Sequence, residues 1–136
     1  MKKLFDEYAK KLESIGANVP KVFKAVAFNG ANFAEKKAVE LTKKEKLVDT
    51  GYYRDNWFAD RIEPEKGTYG IILENNVEYA SYLENGYQRK GGGRFKGRFV
   101  GRQTMDETRY KCIQMLDKAW ETAFRKYHES FTTPEE

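Results

Sequence analysis

Val48-Asp49-Thr50-Gly51 and Asn75-Asn76-Val77-Glu78-Tyr79-Ala80-Ser81-Tyr82-Leu83-Glu84-Asn85-Gly86 bracket the segment from which the architecture reads outward. Asp49 and Thr50 carry short oxygen-bearing side chains suited to cap a following helical turn, and Gly51 relaxes the backbone at the bend. Between the brackets, Asn56 to Ile62 and Thr68 to Leu73 are rich in aromatic and β-branched residues, with Glu65-Lys66-Gly67 as a polar turn. That pattern predicts a β-hairpin. Tyr69, Ile71 and Leu73 alternate onto one face of the second strand, expected to be the buried one. In the first strand Trp57 and Ala59 compete with Phe58 and Ile62, which implies some cover on both faces. Asn75 and Glu78 are spaced as a capping box, Val77, Ala80 and Leu83 recur at helical spacing, and Gly86 suits a C-terminal cap, so a short helix follows.

Upstream, Leu4, Phe5, Tyr8, Leu12 and Ile15 predict an amphipathic helix ended by Gly16. A second helix is expected from Asn18 as N-cap, with Pro20 in its first turn, to about Leu41. Thr42-Lys43-Lys44-Glu45-Lys46 reads as a solvated helix end and linker. Downstream, Tyr87 to Gly93 reads as a flexible loop and Arg94 to Val100 as a third strand or extended arm with Phe95 and Phe99 on one side. A long C-terminal helix is marked by the stripe Met105, Cys112, Ile113, Leu116, Ala119, Trp120, Ala123, Phe124 and Tyr127.

These elements make an α+β fold, a small antiparallel sheet packed against N-terminal and long C-terminal helices. The 136 residues suffice for a single domain with its own core. We expect a helical part at 1–47, the hairpin, short helix and basic loop at 48–102, a C-terminal helix at 103–131 and a polar tail at 132–136. No apolar run reaches the roughly 18 residues that a membrane span needs, and the lysine-led start lacks a signal-peptide core. The expectation is a chain that neither enters a membrane nor leaves by that route.

Catalysis finds little support in the residue types present. Cys112 is the only cysteine and His128 the only histidine, so neither a Ser-His-Asp set nor a cysteine-rich zinc site can be assembled, and Cys112 reads as a small core residue. Asp55, Asp60, Glu63, Glu74, Glu78 and Glu84 alternate with lysines and arginines as solvated charges do. The expectation is a non-enzymatic protein with no catalytic residue, cofactor or metal. Charge is mild overall, +4, yet Arg89, Lys90, Arg94, Lys96, Arg98 and Arg102 fall in one segment without an acid. Arg89, Lys90, Gly91, Gly92, Gly93, Arg94, Phe95, Lys96 and Arg98 therefore form the candidate docking loop. Lys96-Gly97-Arg98-Phe99-Val100 also has a partial likeness to a basic-Gly-aromatic RNA-binding strand, which keeps a small nucleic-acid-binding domain at 89–102 as the alternative.

The order of these features resembles the Hong Kong 97 gene-product-ten family of phage neck and tail-completion proteins. The likeness is carried by Asp49-Thr50-Gly51, Trp57, the hairpin, Tyr79-Ala80, Leu83-Glu84-Asn85-Gly86, and Gly97-Arg98-Phe99 before a long helix. This chain departs from the family in lacking a proline beside the Asp-Thr-Gly turn and in its triple glycine. The resemblance implies a virion subunit made in the host cytoplasm, partnered by other neck or tail proteins in a homo-oligomeric ring, and compatible with a monomer until a template surface is offered. By the same resemblance Asp49, Thr50 and Gly51 set the turn, Trp57 anchors the first strand, Tyr79, Ala80, Glu84 and Gly86 form the short helix and its cap, and Arg98 and Phe99 lead into the last helix. Ring closure needs unlike faces to meet, and Tyr52, Tyr53 and Tyr82 are candidates for that contact. DNA contact by the loop is disfavoured, because a channel through which DNA slides gains nothing from strong positive charge.

Overall fold

Small residues at helical spacing, Ala27, Ala31, Ala34 and Ala38, lead into Leu41 and Thr42 and make one buried stripe along the first helix. A computed structural model describes residues 2–47 and 51–131 and gives that helix, α1, as Lys2–Lys44. At 43 residues it is about 65 Å long. The break expected at Gly16 and the restart at Asn18 do not occur; Pro20 lies inside the helix. Gly16 and Pro20 are both exposed, so the Gly16 carbonyl deprived of its donor stays within reach of solvent, which limits the cost of an interior proline. The turn expected at Asp49 and Thr50 and the tail at 132–136 lie outside the described residues, as do the side chains of Leu4, Phe5, Tyr8, Leu12, Ile15, Tyr127 and His128.

Gly51, at φ +87°, precedes the single turn α2 (Tyr52–Asp55). The predicted hairpin follows as β1 (Trp57–Glu65) and β2 (Thr68–Asn75), antiparallel, with Trp57 opposite Asn75 and Ala59 opposite Leu73. Paired residues share a face. One face lies on α1, where Ile71 reaches Gly30 and Trp57 reaches Thr42. The other leaves Phe58 and Ile62 exposed, so the cover expected there is absent among the described residues.

The capping box does not form. Asn75 ends β2 instead, its Oδ1 accepting from the Val77 N–H and its Nδ2 donating to the Tyr53 carbonyl, and Glu78 is exposed. The short helix α3 (Ala80–Asn85) begins later, with Tyr79 at the N-cap position and Gly86 at the C-cap. A second, separate hairpin follows: β3 (Gly86–Gln88) pairs with β4 (Arg94–Lys96) rather than adding a strand to the first sheet. The long helix α4 (Val100–Phe131) closes the described chain. It runs antiparallel to α1, with Lys37 3.6 Å from Glu107 and Cys112 beside Gly30. Its buried side starts with Val100, Thr104 and Thr108, whereas Ile113, Trp120 and Phe124 from the expected stripe are exposed.

Ala38, Leu41, Tyr53, Trp57, Val77 and Val100 form the core where α1, β1 and the start of α4 converge. Thr42 is fully buried there, contrary to its reading as part of a solvated run. Its hydroxyl donates to the Ala38 carbonyl at 2.7 Å and accepts from the Trp57 Nε1–H at 2.8 Å, so one side chain satisfies the indole and is itself satisfied. Tyr53, expected at a subunit contact, is only 2% exposed and meets Trp57 edge to face at 5.4 Å. Burial, with the Glu84 charge as a lesser cause, pushes the Tyr53 phenol well above its usual value of about 10. A raised pKa means that the unfolded chain ionises first, so the stability present below pH about 10 falls as pH rises through that value. Replacing Tyr53 by Phe should flatten this alkaline loss, measured as urea midpoints from pH 8 to 11. It should cost little at neutral pH, because the buried hydroxyl has no protein partner.

Candidate docking arm

Three successive glycines make the tip of the second hairpin possible. Gly91, Gly92 and Gly93 have φ of +93°, +109° and +81°, a run that side chains with a Cβ resist. The turn closes through the Arg89 N–H on the Gly93 carbonyl at 2.9 Å and the Gly92 N–H on the Arg89 carbonyl at 3.3 Å. What reads in the sequence as an open loop is therefore a paired hairpin, hereafter the arm.

Register places Tyr87 opposite Phe95, so both rings project from one side, and Gln88 opposite Arg94 on the other. Tyr87 and Phe95 stack with centroids 5.1 Å apart, and Tyr82 of α3 meets Tyr87 edge to face at 5.9 Å. The Arg98 and Arg89 guanidinium carbons lie 4.9 and 5.9 Å from the Phe95 ring centre, cation–π contacts worth about 0.5 to 1 kcal/mol each at such sites. Lys96 and Arg94 belong to the opposite side, while Lys90 is exposed at the turn. Tyr82 and Tyr87 are exposed, so the ladder is presented to solvent and not folded into the core.

The base of the arm is rigid by close approach. The Arg98 N–H donates to the Leu83 carbonyl at 2.8 Å and the Phe99 N–H to the Glu84 carbonyl at 3.1 Å. A Cβ on Gly86 would meet the Phe95 carbonyl oxygen, and one on Gly97 would meet the backbone of Glu84, Asn85 and Gly86. Phe99, expected to extend the strand beside Phe95, instead takes φ +51° and turns the chain into α4. Glu84 explains why. Its carboxylate accepts from the Gly101 and Arg102 N–H groups at 2.7 and 2.9 Å, an anion on the N-terminus of a 32-residue helix. Nothing local in the sequence signals that role, since Glu84 precedes the helix by an intervening hairpin.

The site residues thus divide. Arg89, Phe95 and Arg98 meet on one face of the arm; Arg94 and Lys96 occupy the other; Gly91, Gly92 and Gly93 form the turn; Glu84, Gly86 and Phe99 form the base. Tyr79 and Ala80 lie at the start of α3, and Trp57 is in the core, away from the arm. Tyr87, placed by its sequence in a flexible loop, is instead a paired strand residue, and its place opposite Phe95 emerges only with the register.

An open groove of about 690 Å³ lies between α1, β2 and α4, lined by Phe23, Val26, Ile71, Met105, Cys112 and Leu116. Burial raises the Cys112 thiol pKa there, which favours the protonated thiol over the thiolate. Among the described residues no group of three or more His, Cys, Asp or Glu side chains is placed to hold a metal ion, and no helix is long and apolar enough to cross a membrane.

Comparison with known families matches residues 6–86 to the model described as "Bacteriophage HK97-gp10, putative tail-component". The matched span runs from α1 through α3 to the first residue of the arm. No curated protein and no solved structure matches the chain.

Proposed function

The chain belongs to the HK97 gp10-like family of bacteriophage tail components, and from that premise we propose that it is a non-enzymatic subunit of the neck or tail-completion ring. It joins the DNA-filled head to the tail through subunit contacts, within the virion, after synthesis in the host cytoplasm. The observation that carries this reading is the arm: the exposed Tyr82, Tyr87 and Arg89 beside the half-buried Phe95 and Arg98, the composition of an interface, on a hydrogen-bonded base. Its partners are other neck and tail proteins and further copies of itself, the isolated chain being free to remain a monomer until it meets them.

Nucleic-acid binding fits the arm less well. Phe95 is engaged by Tyr87 and by Arg98, which leaves little ring surface for a base to stack on. Tight, saturable DNA binding at physiological salt, lost when Arg94, Lys96 and Arg98 become alanine, would favour that reading instead.

The test is electron microscopy of particles from the encoding phage or prophage with the gene deleted. Separate full heads and tails, joined when purified protein is added back, are expected; normal virions without the gene would overturn the proposal. Protein lacking Gly91 to Gly93 should melt within about 2 °C of the parent yet fail to join heads to tails, because the tip touches no core residue. Loss of folding on that deletion would make the arm a core connection.

A further inference from the structure

The outward face of the β1–β2 hairpin carries Phe58, Asp60 and Ile62 on one strand and Gly70, Ile72 and Glu74 on the other. Phe58 and Ile62 are 46% and 40% exposed, and both acids are exposed beside them. Neither Asp60 nor Glu74 stands in an ion pair among the described residues. This is an apolar surface bearing two unneutralised negative charges.

The ring-bearing face of the arm has the opposite character. Tyr82 and Tyr87 supply its exposed apolar surface, backed by the half-buried Phe95, and Arg89 and Arg98 supply two positive charges that also lack an ion pair among the described residues. The two faces belong to separate sheets of one chain and carry equal numbers of opposite charges.

We propose that the arm of one copy docks on the outward hairpin face of the next, with Arg89 and Arg98 meeting Asp60 and Glu74 around a contact of Tyr82 and Tyr87 with Phe58, Ile62 and Ile72. Because the two surfaces differ, the contact is heterologous, and each subunit keeps one free arm and one free face until a ring closes. The inference rests on the ring reading above and names the surfaces that build it. Charge complementarity within a single chain selects a second copy as the occupant over an unrelated partner. It also makes the contact weaken with salt, since the paired charges sit at an exposed rim.

Two complementary variants test it. Asp60→Lys with Glu74→Lys disables the face and keeps the arm; Arg89→Glu with Arg98→Glu disables the arm and keeps the face. Followed by NMR with one variant isotopically labelled, each alone should self-associate at least about tenfold more weakly than the parent, since reversal turns attraction into repulsion. Their mixture should regain association, with the two variants alternating, because the unchanged arm of one meets the unchanged face of the other and the reversed arm meets the reversed face with the charges exchanged. A mixture no more associated than either variant alone would overturn the proposal, as would variants that associate like the parent.

A photo-crosslinking residue at Tyr87 in the otherwise unchanged chain gives an independent readout should the reversed chains fold poorly. Intermolecular links to the peptide spanning residues 57–75 are expected, and links confined to other segments would overturn the contact. Head–tail joining restored by added protein, together with a negative result here, would sink this interface while leaving the joining role intact.

Discussion

Trp57→Ala is expected to lose about 3 to 5 kcal/mol of folding stability, the range for truncating a buried large aromatic side chain. Trp57 is 8% exposed and sits among Ala38, Leu41, Tyr53, Val77 and Val100, so the cavity opens where α1, β1 and α4 meet. Two further terms add to the lost area: the edge-to-face contact with Tyr53 and the hydrogen bond to Thr42. Thr42→Val isolates the second term. It removes the acceptor but keeps the shape, leaving the indole N–H unpaired at a cost of about 1 to 3 kcal/mol. In a Trp57→Phe background the same Thr42→Val change should cost much less, because no donor remains to be orphaned. Urea denaturation of the four proteins measures this coupling, and a Trp57→Ala change within error of zero would contradict the core described above.

Gly97→Ala should be strongly damaging for a single methyl at the base of the arm. Its φ is not in the left-handed region, so the penalty comes from space alone: the added carbon would fall against the Glu84 carbonyl oxygen and 2.7 Å from the Gly86 nitrogen. Those are backbone atoms and cannot swing aside as a flexible side chain would. The base of the arm must open, which disturbs the Arg98 and Phe99 hydrogen bonds and the Glu84 grip on α4 together. A loss of about 2 to 3 kcal/mol is expected, the upper part of the range for overpacking. Hydrogen exchange should show faster opening at Arg98, Phe99, Gly101 and Arg102, while Trp57 and its neighbours in β1 stay protected. Unchanged exchange at α4's first turn would mean that the arm's base and the helix are not coupled.

The contrast between Trp57 and Gly97 also marks how far the sequence could be read. Alternation over Asn56 to Ile62 and Thr68 to Leu73, with Gly67 in the turn, is a local signal, and the hairpin follows from it. The first helix departs from its local signals for a reason of the opposite kind. Gly16 and Pro20 are local breakers, but both are exposed in a helix whose later turns are fixed by the alanine stripe, so propagation outlasts the local penalty. Thr42 and Glu84 were illegible because their partners are distant in sequence: an indole 15 residues on, and amides 17 and 18 residues on. At the candidate site the cations and glycines could be picked out by composition. The pairing that sorts Phe95, Arg89 and Arg98 onto one face, and Arg94 and Lys96 onto the other, needed the register.

The family assignment fits a chain with so much exposed aromatic surface. Phe58, Tyr82, Tyr87, Tyr110 and Trp120 are all exposed, more apolar area than an isolated subunit gains from displaying.

Cryo-electron microscopy of the head–tail junction in virions of the encoding phage is the most direct measurement. A ring of copies of this chain between head and tail is expected, with α1 and α4 traceable and each arm on the outward hairpin face of its neighbour. Virions whose junction and tail hold no density for the chain would contradict it.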